Sequence, residues 1–176
     1  LSENGWQLAA RGILTTDTRP KLASTMFISN GAPASISGFA KGSGMIRPNM
    51  ATMLAYVFTD AQIEKPLLQQ FLNIAVKNSF NRITVDGDTS TNDCCMLVAT
   101  GKGNLTISAA ESEEAIQFQS ELNTVFEKLA TDLIRDAEGA SKFITIEVDG
   151  GASEQECLAV AYTVTESPLV KTAFFA

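Results

Sequence analysis

The sequence of 176 residues contains no histidine. The chain therefore has no imidazole base, which excludes Ser-His-Asp and Cys-His catalysis and histidine metal sites within it. If the chain is catalytic, its base must be another group.

Cysteine is also scarce, with three residues, Cys94, Cys95 and Cys157. This odd count lacks the spacing of zinc or redox sites. The apolar run that opens with Cys94 and Cys95 predicts a buried strand with the two thiols on opposite faces. Reduced thiols favour an intracellular protein, so we expect a cytoplasmic location, or an organellar one in a eukaryote.

Positive charge is too sparse for a nucleic-acid surface. Lys and Arg number 13 against 20 Asp and Glu, the net charge is −7, and no basic stripe occurs. No apolar run approaches the roughly 18 residues that span a bilayer. The first six residues lack the layout of a secretory signal, and the absence of an initiator Met indicates a processed chain or a piece of a longer one.

Strand and helix patterns both occur, which predicts an α/β (α+β) protein with mixed sheets covered by helices. Its length suits a single domain. Strands are predicted from alternating or continuous apolar patterns. They cover residues 21–29, 34–40, 52–59 and 142–148, with a turn at 30–33 between the first two.

Three helices are predicted from apolar residues at helical spacing. Asp60 is the expected cap of the first, which ends near Asn78. Ser112 caps the second, and Gly139 is its expected stop. The third covers residues 154–165 and is ended by Pro168.

Thr52 opens the apolar strand directly after Ala51 and a glycine-rich approach, which is compatible with self-processing. Its hydroxyl could attack the Ala51 carbonyl, and hydrolysis of the resulting ester would free the Thr52 amine. Such an amine has a pKa of about 7.7–8.0, close to working pH, and could act as the nucleophile's own base. On the residues alone, a Thr that opens a strand is usually an ordinary β-branched residue that fits the pleat.

The acidic segment around Asp86, Asp88 and Asp93 suggests calcium at first sight, but it lacks the spacing of an EF-hand and its closing Glu. We expect a loop whose short polar side chains bond their own backbone, and no metal.

Five ordered blocks that span nearly the whole chain resemble the ornithine acetyltransferase (glutamate N-acetyltransferase) family of arginine biosynthesis. They are residues 12–18, 41–54, 78–93, 135–140 and 167–175.

The resemblance implies the four-layer α/β/β/α fold of self-processing enzymes. It also implies a ping-pong transfer of acetyl from N-acetylornithine to glutamate through acetyl-Thr52. The Ala51–Thr52 bond would be cleaved, so that residues 1–51 end the α chain and 52–176 begin the β chain of one partial domain. Thr15, Lys41, Thr52 and Glu138 fall on substrate-binding positions.

Further implications concern cofactors and assembly. The family needs no cofactor, some members accept acetyl-CoA as a substrate, and the α and β chains associate, with a heterotetramer expected. Family members extend further at both ends, and their oxyanion-hole Thr-Gly pair would precede Leu1.

Two alternatives stay open. One is a self-processing N-terminal-Thr amidohydrolase or aminopeptidase, and the other is an inactive fragment that needs further segments. Taken singly, Thr15, Lys41 and Glu138 could also be a strand hydroxyl, a solvated turn residue and a surface charge. Arg47 stands where the family pattern suggests a small or neutral residue, and could tune the cleavage site or face solvent.

Overall fold

The structure, a computed structural model, describes residues 5–47, 53–89 and 94–175. Within these ranges the chain forms six strands and five α-helices. The strands are β1 (Lys21–Ser29), β2 (Ala32–Lys41), β3 (Leu54–Thr59), β4 (Gln62–Ile63), β5 (Cys94–Ala99) and β6 (Thr106–Ile107). The helices are α1 (Gly5–Gly12), α2 (Lys65–Asn78), α3 (Glu113–Arg135), α4 (Glu154–Glu166) and α5 (Pro168–Phe175), with a 3-10 turn at Phe80–Arg82.

A mixed sheet of four strands in the order β1-β2-β3-β5 organises the fold. β1 and β2 form an antiparallel hairpin whose turn residues, Asn30 and Gly31, have φ values of 47° and 78°. Such Asn-Gly turns match the twist of the flanking strands. β3 pairs antiparallel with β2 and parallel with β5, so it is held on both sides.

The core lies between this sheet and helices α2 and α3. Ser112 caps α3 by accepting a hydrogen bond from Ala115 N at 3.2 Å, as predicted. The apolar face of α3 is then buried against the sheet and α2. Its fully buried members are Phe118, Leu122, Phe126, Leu129 and Leu133.

The opposite face of the sheet is apolar but only partly covered. Trp6 of α1 packs edge-on against Phe39 and Phe58, with ring centroids 5.9 and 5.3 Å away. Farther along, Met26 and Ile28 of β1 are 86% and 68% exposed.

The mixed α/β class is thus confirmed, and so are the hairpin and the three helices. The strand predicted at 52–59 is confirmed from Leu54 onward. The cysteine-containing strand is also present, but the prediction that it is buried was wrong: Met96 and Val98 are 48% and 40% exposed, because β5 lies at the edge of the sheet in the described part of the chain. The end of one helix differs. The second helix ends at Arg135 rather than at Gly139. Pro168 does break the third helix, but it also begins α5, because proline is well tolerated in a first helical turn.

Two other local predictions were wrong. Asp60 does not cap α2, whose N-cap is Glu64, because the short strand β4 intervenes. Asp60 instead accepts a hydrogen bond from Ser35 N at 2.8 Å. Residues 142–148 form no strand, although their burial alternates, because no neighbouring strand pairs with them in the described part of the chain.

Among helices in the described ranges, none is both long and apolar enough to cross a bilayer.

Candidate active site

Lys41 occupies the last position of β2 and is 8% exposed. Its Nζ lies 3.5 Å from Thr15 Oγ1, which belongs to the loop between α1 and β1. The buried stem of Lys41 directs a positive charge towards a hydroxyl group, which suits the binding of a polar anionic group. Two residues predicted to bind substrate are therefore adjacent, although 26 positions separate them in the sequence.

Glu138 approaches the same place from the end of α3. Its backbone N donates a hydrogen bond of 2.8 Å to Ser43 O, and its Oε1 lies 3.5 Å from Ser43 Oγ. The Ser43 hydroxyl in turn lies 2.6 Å from Thr16 Oγ1. The loop after β2 thus links the segments that carry Thr15 and Glu138.

Gly42 and Gly44 allow this close packing. A Cβ built on Gly44 would stand 3.3 Å from the Glu138 carboxylate. Gly42 has φ of +151°, and a Cβ there would lie 3.8 Å from Met53 Cα. The loop after β2, which contains both glycines, therefore runs close to Glu138 and to Met53, the residue before β3.

Thr52 and Ala51, the predicted nucleophile and cleavage site, lie outside the described residues. Their chain neighbour Met53 is 5% exposed, and its carbonyl accepts a hydrogen bond of 3.1 Å from Cys94 N. Leu54 then pairs with Lys41. The chain that follows Thr52 is therefore fixed beside the predicted substrate-binding lysine.

Asp86 holds the part of the chain that precedes the predicted cleavage site. Its carboxylate accepts hydrogen bonds from Met45 N at 2.5 Å and Ile46 N at 3.1 Å. Met45 has φ of 55°, an unusual value for a residue with a side chain. Asp86 also accepts from Asp88 N at 3.1 Å, so the predicted local backbone bonding is confirmed for this residue.

Asp93 lies outside the described residues. Among the described acidic residues and cysteines, no cluster fit to bind a metal occurs.

The Arg47 side chain contacts helix α4 instead of extending only into solvent. Its Nε forms an ion pair with Glu166, and its guanidinium lies 5.5 Å from the centre of the Tyr162 ring. Burial raises the pKa of the Tyr162 hydroxyl. Arg47 thus holds the loop before the cleavage segment against α4.

Beneath the loop lies a buried charge cluster that the sequence did not predict, formed by Asp17, Lys21 and Asp136. The Lys21 ammonium forms ion pairs with both carboxylates and also donates to Gly42 O at 3.3 Å. Burial raises the pKa of both carboxyls, but hydrogen bonds, first of all from Lys21, outweigh it, so both pKa values fall below the ordinary one. An i,i+4 Asp-Lys spacing was the only sequence signal, and it does not reveal Asp136.

Cys95 is poorly suited to act as a nucleophile. Burial, with a smaller contribution from Cys94, raises the pKa of its thiol to about 12. The reactive form of cysteine is the thiolate, and it is scarce at neutral pH with such a pKa.

The chain matches the family model described as "ArgJ family" over residues 2–176. The arginine biosynthesis bifunctional protein ArgJ of Pseudomonas fluorescens is 54% identical over 177 residues, covering all of this chain and 44% of that protein. ArgJ of Psychrobacter arcticus is 55% identical over 179 residues with the same coverage. This chain thus spans less than half the length of these curated relatives.

Its fold also resembles a solved structure of the family. The crystal structure of ArgJ from Bacillus halodurans superposes with a TM-score of 0.65 at 44% sequence identity, over 70% of this chain and 58% of that one. The likeness in sequence extends over the whole chain, and the likeness in structure over most of it. The chain therefore belongs to the ArgJ family.

Proposed function

We propose that this chain carries the nucleophile and part of the substrate site of an acetyltransferase that moves acetyl from N-acetylornithine to glutamate. One observation supports this most directly. Thr15, Lys41 and Glu138, separated widely in sequence, meet around the short loop that leads from β2 towards Thr52. That convergence is what a shared substrate site requires, and membership of the family supports the proposed reaction.

Each residue suits one part of the two amino-acid substrates. Lys41 presents a positive charge for the α-carboxylate that both substrates carry. The exposed Glu138 carboxylate offers a negative partner for a substrate amine. Thr15, beside Lys41, supplies a hydroxyl that orients a bound polar group.

Self-cleavage precedes transfer in this proposal. The Thr52 hydroxyl attacks the carbonyl carbon of Ala51, the peptide C–N bond breaks, and water hydrolyses the ester. The chain then has two parts, residues 1–51 and 52–176. Thr52 gains a free α-amino group, which acts as a base for its own hydroxyl in a chain without histidine.

Acetyl transfer then proceeds in two halves. The Thr52 hydroxyl attacks the acetyl carbonyl of N-acetylornithine, its proton passes to the Thr52 amine, and ornithine leaves with that proton. An acetyl ester remains on Thr52. The glutamate amine attacks this ester, a proton returns to the Thr52 oxygen, and N-acetylglutamate is released.

Further parts of the proposal follow the family. No cofactor is needed, and acetyl-CoA is a candidate second donor. The two cleaved parts stay associated in a heterotetramer in the cytoplasm.

The proposal is tested with the protein as it is naturally expressed. It is incubated with N-acetylornithine and glutamate, and N-acetylglutamate and ornithine are measured together. We expect equal amounts of both products. Ornithine and acetate released without acetylglutamate would instead identify a hydrolase, and the absence of all products would favour an inactive protein.

Thr52→Ala and Thr52→Ser are the matched variants. The alanine variant removes the hydroxyl, so cleavage and transfer should both be lost. The serine variant keeps a hydroxyl and should retain partial cleavage. Normal cleavage in Thr52→Ala would refute the assignment of Thr52.

A further inference from the structure

Asp17, Lys21 and Asp136 form a charge cluster that is almost wholly removed from water. The side chains are 0%, 0% and 4% exposed. An ammonium group has three hydrogens to donate, and Lys21 directs its Nζ to three acceptors, namely Asp17 Oδ1, Asp136 Oδ2 and the Gly42 carbonyl. The hydrogen-bonding capacity of the buried lysine is therefore fully used.

The two carboxylates bind backbone as well as Lys21. Asp17 accepts hydrogen bonds from Gly42 N at 2.7 Å and from Thr15 N at 3.3 Å. Asp136 accepts from Thr18 N at 3.0 Å and from the Thr18 hydroxyl. The cluster thus bonds the backbone of the α1–β1 loop and of the residue after β2.

The hydrogen bonds of the cluster lie next to Thr15, Lys41 and Glu138, the residues proposed to bind substrate. Asp17 binds the amide of Thr15 itself, and both Asp17 and Lys21 bind Gly42, the neighbour of Lys41. Asp136 is the C-cap of α3 and lies two positions before Glu138. Three segments that are far apart in sequence are therefore joined through one ammonium group.

Stability alone does not explain such an arrangement well. A buried ion pair can often be replaced by apolar residues of similar volume with no loss of stability, because desolvation offsets the attraction. Charged groups with full hydrogen bonding do, however, impose a defined geometry on the segments they bind. Substrate sites need such geometry, because the side chains that contact a ligand must be held within about 0.5 Å of their productive positions.

We propose that Asp17, Lys21 and Asp136 are positioning residues that set Thr15, Lys41 and Glu138 at the spacing that the amino-acid substrates require. This inference rests on the proposed acetyltransferase function, and adds the residues that determine substrate fit. None of the three touches substrate. They act on it through the backbone of the loops that they hold.

The test uses Asp136→Asn in the protein as it is naturally expressed. Asparagine keeps the size of the side chain but removes the charge that faces Lys21. Asp132→Asn is the matched control, because Asp132 lies one turn earlier on α3 and pairs with Lys128, which is 55% exposed. Steady-state kinetics with both substrates and thermal unfolding are measured for each variant.

We expect KM for N-acetylornithine and for glutamate to rise by roughly 10-fold or more in Asp136→Asn, with kcat per folded molecule changing much less. Asp132→Asn should keep both values. If the cluster only stabilised the fold, Asp136→Asn would lower the folded fraction and the apparent kcat while KM stayed at the wild-type value. That result would overturn the inference.

Thr18→Val is the second variant, since it removes one hydrogen bond to Asp136 and leaves every charge paired. If Asp136→Asn does not fold, a raised KM in Thr18→Val supports the inference and an unchanged KM overturns it. Failure of the proposed function would look different, because the wild-type protein would then form no N-acetylglutamate.

Discussion

At the scale of single residues, Lys41 combines a buried stem with a charge at the candidate site. Lys41→Met keeps the apolar stem and removes the charge. Hydrogen bonds to charged groups are worth about 1.5–3 kcal/mol, so kcat/KM for both substrates should fall by roughly 10- to 100-fold. Lys102→Met, which changes an exposed lysine in a distant loop, is the control. Equal activity of the two variants would exclude Lys41 from substrate binding.

The buried carboxyls predict how stability depends on pH. The folded pKa values of Asp17 and Asp136 lie below the ordinary value of 3.8. Each stabilising contribution is therefore complete above that value and is lost as the pH falls through the lowered folded pKa. Asp136→Asn should be less stable than wild type at neutral pH, and the difference should shrink in acid.

Urea unfolding from about pH 6 down to about pH 2 measures this difference directly. A constant difference between wild type and Asp136→Asn over the whole range would contradict the assignment of the lowered pKa.

The residues proposed for the site come from the family resemblance, not from their chemistry alone. A lysine that ends a strand and a glutamate after a helix are common on protein surfaces. Their proximity depends on the fold, which brings the end of α3 beside the loop after β2. Asp136 lies 115 positions from Lys21, so no local pattern could reveal the cluster.

At the scale of secondary structure, β2 packs tightly against β3 at Gly38. A Cβ at this position would stand 2.8 Å from Val57 Cγ2 and 3.0 Å from Tyr56 O. Gly38→Ala should therefore force the two central strands apart and lower the free energy of unfolding by roughly 1–3 kcal/mol. Urea unfolding measures the loss.

Gly12→Ala is the matched control for that variant, since a Cβ at Gly12 meets no atom within 4 Å. Its stability should stay near that of wild type. If Gly38→Ala were as stable as Gly12→Ala, the register of β2 and β3 would be wrong.

Most elements followed from local patterns because their apolar residues repeat at strand or helix spacing. Ser112 and the acidic turn after it identified the start of α3 for the same local reason. The strand prediction for residues 142–148 was wrong because an alternating pattern reflects only which side chains are buried. A strand also requires a neighbouring strand to which its backbone forms hydrogen bonds. The prediction that Asp60 caps a helix was wrong because its side chain accepts a hydrogen bond from β2 instead.

At the scale of the whole molecule, the position of β3 predicts the fate of the cleaved chain. β3 follows the predicted cleavage site and lies between β2, from the first part, and β5, from the second. Its buried residues Ala55 and Val57 belong to the shared core. The two parts should therefore co-elute on size exclusion after cleavage and separate only in denaturant.

Separation of the two parts without denaturant would contradict the observed strand order. The control is Thr52→Ala, which should remain a single chain under both conditions.

The central claim is that Thr52 carries acetyl during transfer. The most direct measurement is the intact mass of the protein after acid quenching, following incubation with N-acetylornithine in the absence of glutamate. We predict that the part beginning at Thr52 gains the mass of one acetyl group, that the group maps to the Thr52 hydroxyl, and that added glutamate removes it. A turnover-competent protein that never shows this acetyl group, or that carries it on another residue, would contradict the account.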